Sequence, residues 1–247
     1  MEGDLKRPGG ELANRPLHFF WVIDCSGSMM GEKIGTVNHA IQSTIPEMVD
    51  AARNNPNAQL LIQTLKFSTG ASWITTSPIP VEDFAWDDLS ANGVTDLGKA
   101  FELLAAQLTI PPMTDRALPP VIVLLSDGQP TDDYKRPLET LKRLPWGKKA
   151  VKIAISIGQD ADDSVLKEFT GNSELVLQAN NPNALVKMIK WASTAASAVS
   201  APAGRAVEEF QGAVFAPEDT AAGPDNGPLV IDIDNIPDGD AGADVVW

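Results

Sequence analysis

The 247-residue sequence predicts an α/β domain of the Rossmann-like, doubly wound type, with a mostly parallel sheet and helices on both faces. Two observations support this prediction. Three short apolar segments, Leu17–Ile23, Val121–Leu125 and Val151–Ile157, are rich in β-branched or aromatic residues and have turn residues nearby. Between them lie segments whose apolar residues recur every three or four positions, as in helices. Strands that are apolar throughout are typical of parallel sheets, so this alternation of strands and helices indicates the fold class.

The remaining elements follow from local patterns. Leu60–Phe67 and Ala71–Thr75 bracket a Ser-Thr-Gly turn, which predicts a hairpin that adds one antiparallel strand at an edge of the sheet. Helices are predicted, in chain order, over residues 34–52, 97–108, 133–144, 162–170 and 182–197. Pro46 is expected to kink or divide the first helix, because proline removes one main-chain hydrogen bond and crowds the preceding turn.

Charge divides the chain near residue 198. The net charge is −14, and ten acidic residues against one base, Arg205, give the segment from 198 onward a charge of −9. We therefore predict an N-terminal arm at 1–14, a folded domain at 15–197 and an acidic tail rich in Ala, Gly and Pro at 198–247. Within the tail, 229–234 alternates like a half-buried strand, and the last residues are Asp-Val-Val-Trp. Two interpretations of the tail are open: it is a solvated linker, or its segment 229–234 and last residues dock on this domain or on a partner.

Composition excludes several classes of function. A strongly acidic chain is a poor partner for nucleic acid or for an anionic membrane. No apolar run approaches the ~20 residues of a membrane span, and the early apolar run lacks a small-residue cleavage site, so we expect a cytoplasmic protein. Cys25 is the single cysteine, which excludes an internal disulfide and a thiolate-rich zinc site. We expect its thiol to be buried and inert, and His18 and His39 to be structural.

Polar residues follow the predicted strands at the edge where doubly wound sheets bind ligands. Asp24, Ser26 and Ser28 form an Asp-x-Ser-x-Ser turn after the first strand, and Asp127 follows the central strand. Thr95, just ahead of the second helix, is placed to add a third hydroxyl. An all-oxygen set of low charge suits a hard divalent cation, with Mg²⁺ first and Mn²⁺ or Ca²⁺ as alternatives. Two carboxylates only balance its charge, so an open position would still attract an anionic ligand.

In order and context, these five positions resemble the metal-ion-dependent adhesion site of the von Willebrand factor A (vWA) domain, over about residues 15–197. Four segments are similar, more narrowly, to bacterial TerY-type proteins of tellurium-resistance and stress-response systems: 7–12 (RPGGEL), 93–100 (GVTDLGKA), 126–133 (SDGQPTDD) and 145–150 (PWGKKA). The resemblance implies a vWA fold and a cytoplasmic, non-catalytic scaffold or adaptor associated with a protein kinase and a PPM-type phosphatase.

The resemblance also implies a role for each site residue. Ser26 and Ser28 would contact the ion directly, and Thr95 would do so directly or through water. Asp24 and Asp127 would hold the ion, often through water. A protein partner would offer a carboxylate to the open metal position, and a carboxylate of the acidic tail is an alternative occupant.

Two enzyme classes are the alternatives. Residues 93–99 fit the GxxxxGK half of a nucleotide-binding P-loop, but Ala100 stands where a hydroxyl is needed and no apolar strand precedes them. Asp24 is also placed like the nucleophile of a metal-dependent phosphoryl transfer, but Ser26 stands where a second acid would be needed. Asp132 and Asp133 are predicted to cap the helix at 133–144, with an outer role at the metal site as the alternative.

Overall fold

The computed structural model describes residues 15–54, 58–158, 161–179, 181 and 183–188. The predicted N-terminal arm at 1–14, the acidic tail at 198–247 and its segment 229–234 lie outside these residues. Most of the predicted domain at 15–197 lies within them.

Seven strands in the described part of the chain form one sheet. They are β1 (Arg15–Asp24), β2 (Ala58–Ser68), β3 (Gly70–Trp73), β4 (Ile79–Pro80), β5 (Val121–Ser126), β6 (Val151–Ile157) and β7 (Val176–Ala179). The order is β3-β2-β1-β5-β6-β7, and the short β4 also pairs with β2. The β1, β2, β5, β6 and β7 pairings are parallel, whereas β3 and β4 pair with β2 in antiparallel fashion. The predicted mostly parallel sheet with an antiparallel edge is confirmed.

In the described part of the chain, five α-helices connect the strands: α1 (Glu32–Arg53), α2 (Leu97–Gln107), α3 (Lys135–Arg143), α4 (Pro145–Lys149) and α5 (Asp163–Thr170). Residues 183–188, part of the helix predicted at 182–197, are also helical. Among the described residues no helix is both long and apolar enough to cross a membrane. The short elements α4 and β7 were not predicted, because four or five residues are too few to display a period.

The sheet separates two apolar cores. Phe19, Trp21 and Ile23 of β1 face the core that contains α1, and Phe20 and Val22 face the core that contains α2 to α5. All five side chains are fully buried. Because both faces of β1 are covered, its segment from Phe19 to Ile23 is apolar throughout and does not alternate.

Pro46 does not divide α1, which is one helix from Glu32 to Arg53. Buried residues of α1, among them Ile41 and Met48, lie on both sides of the proline in the same core. Burial of this apolar face on both sides offsets the main-chain hydrogen bond that proline cannot make.

The strand connections leave a crevice at the carboxyl ends of β1 and β5, the place where doubly wound sheets bind ligands. From β1 the chain passes through α1 to β2 on one side, whereas β5 pairs with β1 on the other side. Where the connections diverge in this way, loops at the carboxyl ends of the two strands leave a crevice. Ile23 of β1 is paired with Leu125 of β5, so Asp24 and Asp127 come just beyond neighbouring strand ends.

Candidate metal centre

Asp24 is the last residue of β1, and its carboxylate is fully buried. One carboxyl oxygen accepts a hydrogen bond from the Ser26 amide at 2.8 Å, and the other accepts one from the Ser126 hydroxyl at 2.6 Å. Burial raises the pKa of the Asp24 carboxyl and the charge of Asp127 raises it further, whereas the hydrogen bonds from Ser126 and Ser26 lower it. Because it accepts the hydrogen bond from the Ser26 amide, Asp24 orders the turn that follows the strand.

The turn after β1 presents two hydroxyls side by side. The Oγ atoms of Ser26 and Ser28 lie 3.0 Å apart; Ser26 is buried, whereas Ser28 is exposed. Between them, the amide of Gly27 donates a hydrogen bond to the carbonyl of Gly93 at 3.0 Å. A Cβ at position 27 would lie only 3.2 Å from that carbonyl oxygen, so glycine allows the close approach of the two loops.

Thr95 lies in the second of these loops and is 5% exposed. Its amide donates to the hydroxyl of Thr131 at 3.1 Å, and its carbonyl accepts from the amide of Thr131 at 2.8 Å. Thr131 belongs to the loop that follows β5 and carries Asp127. These two hydrogen bonds therefore fix the backbone of Thr95 to the loop of the second carboxylate.

Asp127 is the most informative residue of the site. Its side chain is fully buried, and neither carboxyl oxygen has a hydrogen-bond partner among the described residues. A buried carboxylate without a partner costs several kcal/mol, so native proteins normally pair such a group or bind a metal with it. A divalent cation beside the paired hydroxyls of Ser26 and Ser28 would supply the missing partner, and the residues present fit such an ion.

The candidate ligands are all oxygen atoms, which favours one class of metal ion. The described residues contain no cluster of three or more His, Cys, Asp or Glu side chains suited to a metal. The two carboxylates Asp24 and Asp127 are complemented by hydroxyls, and neutral or anionic oxygen donors suit hard cations such as Mg²⁺, Mn²⁺ and Ca²⁺.

The predicted capping role of Asp132 and Asp133 is wrong. The carboxylate of Asp132 accepts hydrogen bonds from the amides of Gly98 and Lys99, at 2.9 and 3.1 Å, and so caps α2. The residue before α3 is Tyr134, and no side chain caps that helix. The loop after β5 folds back across the start of α2, a long-range contact that local sequence spacing does not reveal.

The capping of α2 also bears on the P-loop alternative. A bound phosphate would need amides at the start of this helix, and those of Gly98 and Lys99 are already engaged by the Asp132 carboxylate. Residues 84–92 form no strand, so the strand that precedes a P-loop is missing in this described stretch.

Sequence reasoning missed Ser126 and Thr131. Ser126 ends β5, donates to Asp24 and accepts from the Gly128 amide at 2.9 Å, so it joins the two strand ends. Because Ser126 directly precedes Asp127 in the sequence, its role at the site could have been predicted from that position. Cys25 and His18 behave as expected: both are buried, which raises the thiol pKa to about 12 and lowers the imidazole pKa to about 4.

Comparison with known proteins identifies the family. The sequence model of the von Willebrand factor type A domain matches residues 20–191, which is most of the chain. The chain belongs to this family. A search of the curated proteins gave no match.

Solved structures share the vWA fold. The pilus adhesin SpaC from Lactobacillus rhamnosus GG, in its open conformation, superposes with a TM-score of 0.61 at 15% identity, over 75% of this chain and 30% of the adhesin. A von Willebrand factor type A protein from Catenulispora acidiphila gives 0.56 at 15% identity, over 74% and 43%. Proximal thread matrix protein 1 from the mussel byssus, with a zinc-occupied MIDAS motif, gives 0.55 at 15% identity, over 73% and 48%. The chain thus spans less than half of each of these structures, and the likeness concerns the fold.

Proposed function

We propose that this vWA domain binds one divalent cation and uses it to hold a carboxylate of a protein partner. The ion would be held by five residues: Asp24, Ser26, Ser28, Thr95 and Asp127. The observation that carries the proposal is the buried Asp127 carboxylate, both oxygens of which lack a partner among the described residues.

The chemistry of this set leaves room for an external ligand. Mg²⁺, our first choice of ion, prefers six oxygen ligands and usually keeps water molecules that another oxygen ligand can replace. The two carboxylates, Asp24 and Asp127, only balance the charge of the ion, so a further anion remains favourable at an open position. Ser28 is exposed, so the open position would face solvent and an approaching partner.

The same residues favour recognition over catalysis. Both carboxyl oxygens of Asp24 accept hydrogen bonds, from Ser26 and Ser126, which reduces their power as a nucleophile for phosphoryl transfer. His18 is buried within a strand, and His39 is exposed on α1. Neither histidine is placed to move a proton at the site.

The biological setting is the finer part of the proposal. We place the protein in a bacterial tellurium-resistance or stress-response system, in the cytoplasm, as a scaffold or adaptor for a protein kinase and a PPM-type phosphatase. This setting rests on the similarity of four segments, 7–12, 93–100, 126–133 and 145–150, to TerY-type proteins. The −14 charge supports a protein partner over nucleic acid.

Calorimetric titration of the EDTA-stripped full chain with Mg²⁺, Mn²⁺ and Ca²⁺ tests the metal site. We expect one ion per chain, and a large loss of affinity in Ser28→Ala, a substitution at an exposed residue. Asp88→Asn, at an exposed aspartate outside the site, is the control and should bind like the wild type. No heat of binding in the wild type, or equal affinity in Ser28→Ala, would contradict the proposal.

A further inference from the structure

Two exposed apolar side chains lie in the two loops that carry Ser28 and Thr95. Met30 is 63% exposed and Val94 is 46% exposed, which makes them two of four large apolar side chains exposed among the described residues. Met30 follows Ser28 by two residues, and Val94 directly precedes Thr95. We call these two side chains the apolar rim.

The apolar rim belongs to loops that are joined at the site. The hydrogen bond of 3.0 Å from the Gly27 amide to the Gly93 carbonyl holds the turn after β1 against the loop before α2. A second bond, from the Asn92 amide to the Cys25 carbonyl at 2.8 Å, joins the same two loops. A ligand that brings only a carboxylate would leave this apolar surface in water. The surface therefore favours a ligand with an apolar side chain near its acidic one.

A segment of this chain has the matching pattern. Residues 229–234 read Leu-Val-Ile-Asp-Ile-Asp. In an extended backbone, alternate side chains share a face, so Val230 and Asp232 would lie on one side about 7 Å apart. Asp232 could then reach the cation while Val230 contacts the apolar rim. In the same extended backbone, Asp234 would share that face and offer a second carboxylate.

We infer that residues 229–234 occupy the open metal position of their own chain, with Asp232 as metal ligand and Val230 against Met30 and Val94. The inference rests on the proposed function, because it needs the cation. Charge complementarity supports it: the segment lies in a stretch with a charge of −9, and the proposed cation would have an open position for an anion. The unpartnered, fully buried carboxylate of Asp127 points independently to that cation.

The connection is long enough for docking within one chain. About 40 residues separate 188 from 229, and they can span up to ~130 Å when extended, against a domain about 40 Å across. A tethered segment of this kind has an effective concentration on the order of 1 mM at the metal position, where it competes with a partner's carboxylate. A partner carboxylate must then displace Asp232, so the tail sets the threshold for partner binding.

Metal affinity of the full chain tests the inference. The variant Asp232→Asn/Asp234→Asn should weaken apparent Mg²⁺ affinity roughly tenfold in calorimetry, the loss expected when a ligand at ten times its dissociation constant is removed. Asp238→Asn/Asp240→Asn is the matched control, since it removes the same charge from the same tail and should leave the affinity unchanged.

The apolar rim gives an independent arm of the test. Met30→Ser/Val94→Ser should weaken Mg²⁺ binding in the same direction, and it should add nothing further in the Asp232→Asn/Asp234→Asn background, because both variants remove one docking contact. Ile110→Ser is the control, at an exposed apolar residue just beyond the opposite end of α2. Additive losses, or equal losses in rim variant and control, would overturn the inference.

The remaining outcomes separate the two proposals. Wild-type Mg²⁺ binding with equal affinity in the two tail variants overturns the inference and leaves the proposed function standing. A difference that depends on protein concentration, with a doubled mass in light scattering, places the segment on a second copy and overturns docking within one chain. A wild type that binds no divalent cation contradicts both.

Discussion

Replacing Asp127 by asparagine should stabilise the metal-free protein and abolish its stabilisation by Mg²⁺. The carboxylate is fully buried, has no partner among the described residues and lies close enough to Asp24 for its charge to raise the pKa of that carboxyl. An unpaired buried charge costs several kcal/mol, whereas an unpaired amide costs about 1–3 kcal/mol. The neutral variant should therefore gain about 2 kcal/mol in the free energy of unfolding, or roughly 4–8 °C in melting temperature.

Urea denaturation followed by tryptophan fluorescence measures this change, with EDTA or with excess MgCl₂. The wild type should gain about 2.7 kcal/mol when Mg²⁺ is at a hundred times its dissociation constant, whereas Asp127→Asn should gain nothing. Asp88→Asn, at an exposed position, controls for the change of side chain and should behave like the wild type. The reasoning is refuted if Asp127→Asn is less stable than the wild type in EDTA, or if Mg²⁺ stabilises it equally.

Three further predictions concern residues around the site and in the core. Thr131→Val removes the hydroxyl that accepts from the buried Thr95 amide, so it should cost about 1–3 kcal/mol and weaken Mg²⁺ binding in calorimetry, whereas Thr131→Ser should restore both. Burial lowers the pKa of His18 from 6.5 to about 4, so the unfolded chain gains a proton first and stability falls as the pH drops below 6.5 toward 4. Between pH 7 and pH 5, the free energy of unfolding should therefore fall by about 2 kcal/mol less in His18→Leu than in the wild type. Equal falls in the two proteins, measured by urea denaturation, would contradict this. Gly128→Ala should cost at least about 2 kcal/mol in the same urea assay, because φ is +72° and the new Cβ would lie 2.3 Å from the Asp162 carbonyl oxygen; wild-type stability would contradict it.

The strands and their edge arrangement were predictable because burial on both faces leaves a strong local signal. β6 was predicted at the residues where it occurs. β1 begins two residues earlier and ends one residue later than predicted, and β5 ends one residue later. The antiparallel hairpin was predictable from a glycine-containing turn between two β-prone segments. Asp24 and Asp127 could be placed at one edge because parallel strands align their carboxyl ends.

Long-range contacts were not predictable from local sequence. The Asp132 side chain caps α2, 33 and 34 residues earlier in the chain, instead of the helix that follows it. The Thr131 contacts to Thr95 span 36 residues in the same way. Pro46 was expected to kink or divide α1, yet α1 is not divided, because packing on both sides of the proline overrides its local cost.

The central claim is that one cation lies between the Asp-x-Ser-x-Ser turn and Asp127. Anomalous diffraction from a crystal of the full chain soaked with Mn²⁺ tests it most directly. The account predicts one manganese peak within oxygen-ligand distance, about 2.0–2.6 Å, of the hydroxyls of Ser26 and Ser28 and beside the Asp127 carboxylate. A soaked crystal with no peak at this position, or with manganese bound only elsewhere, would contradict it.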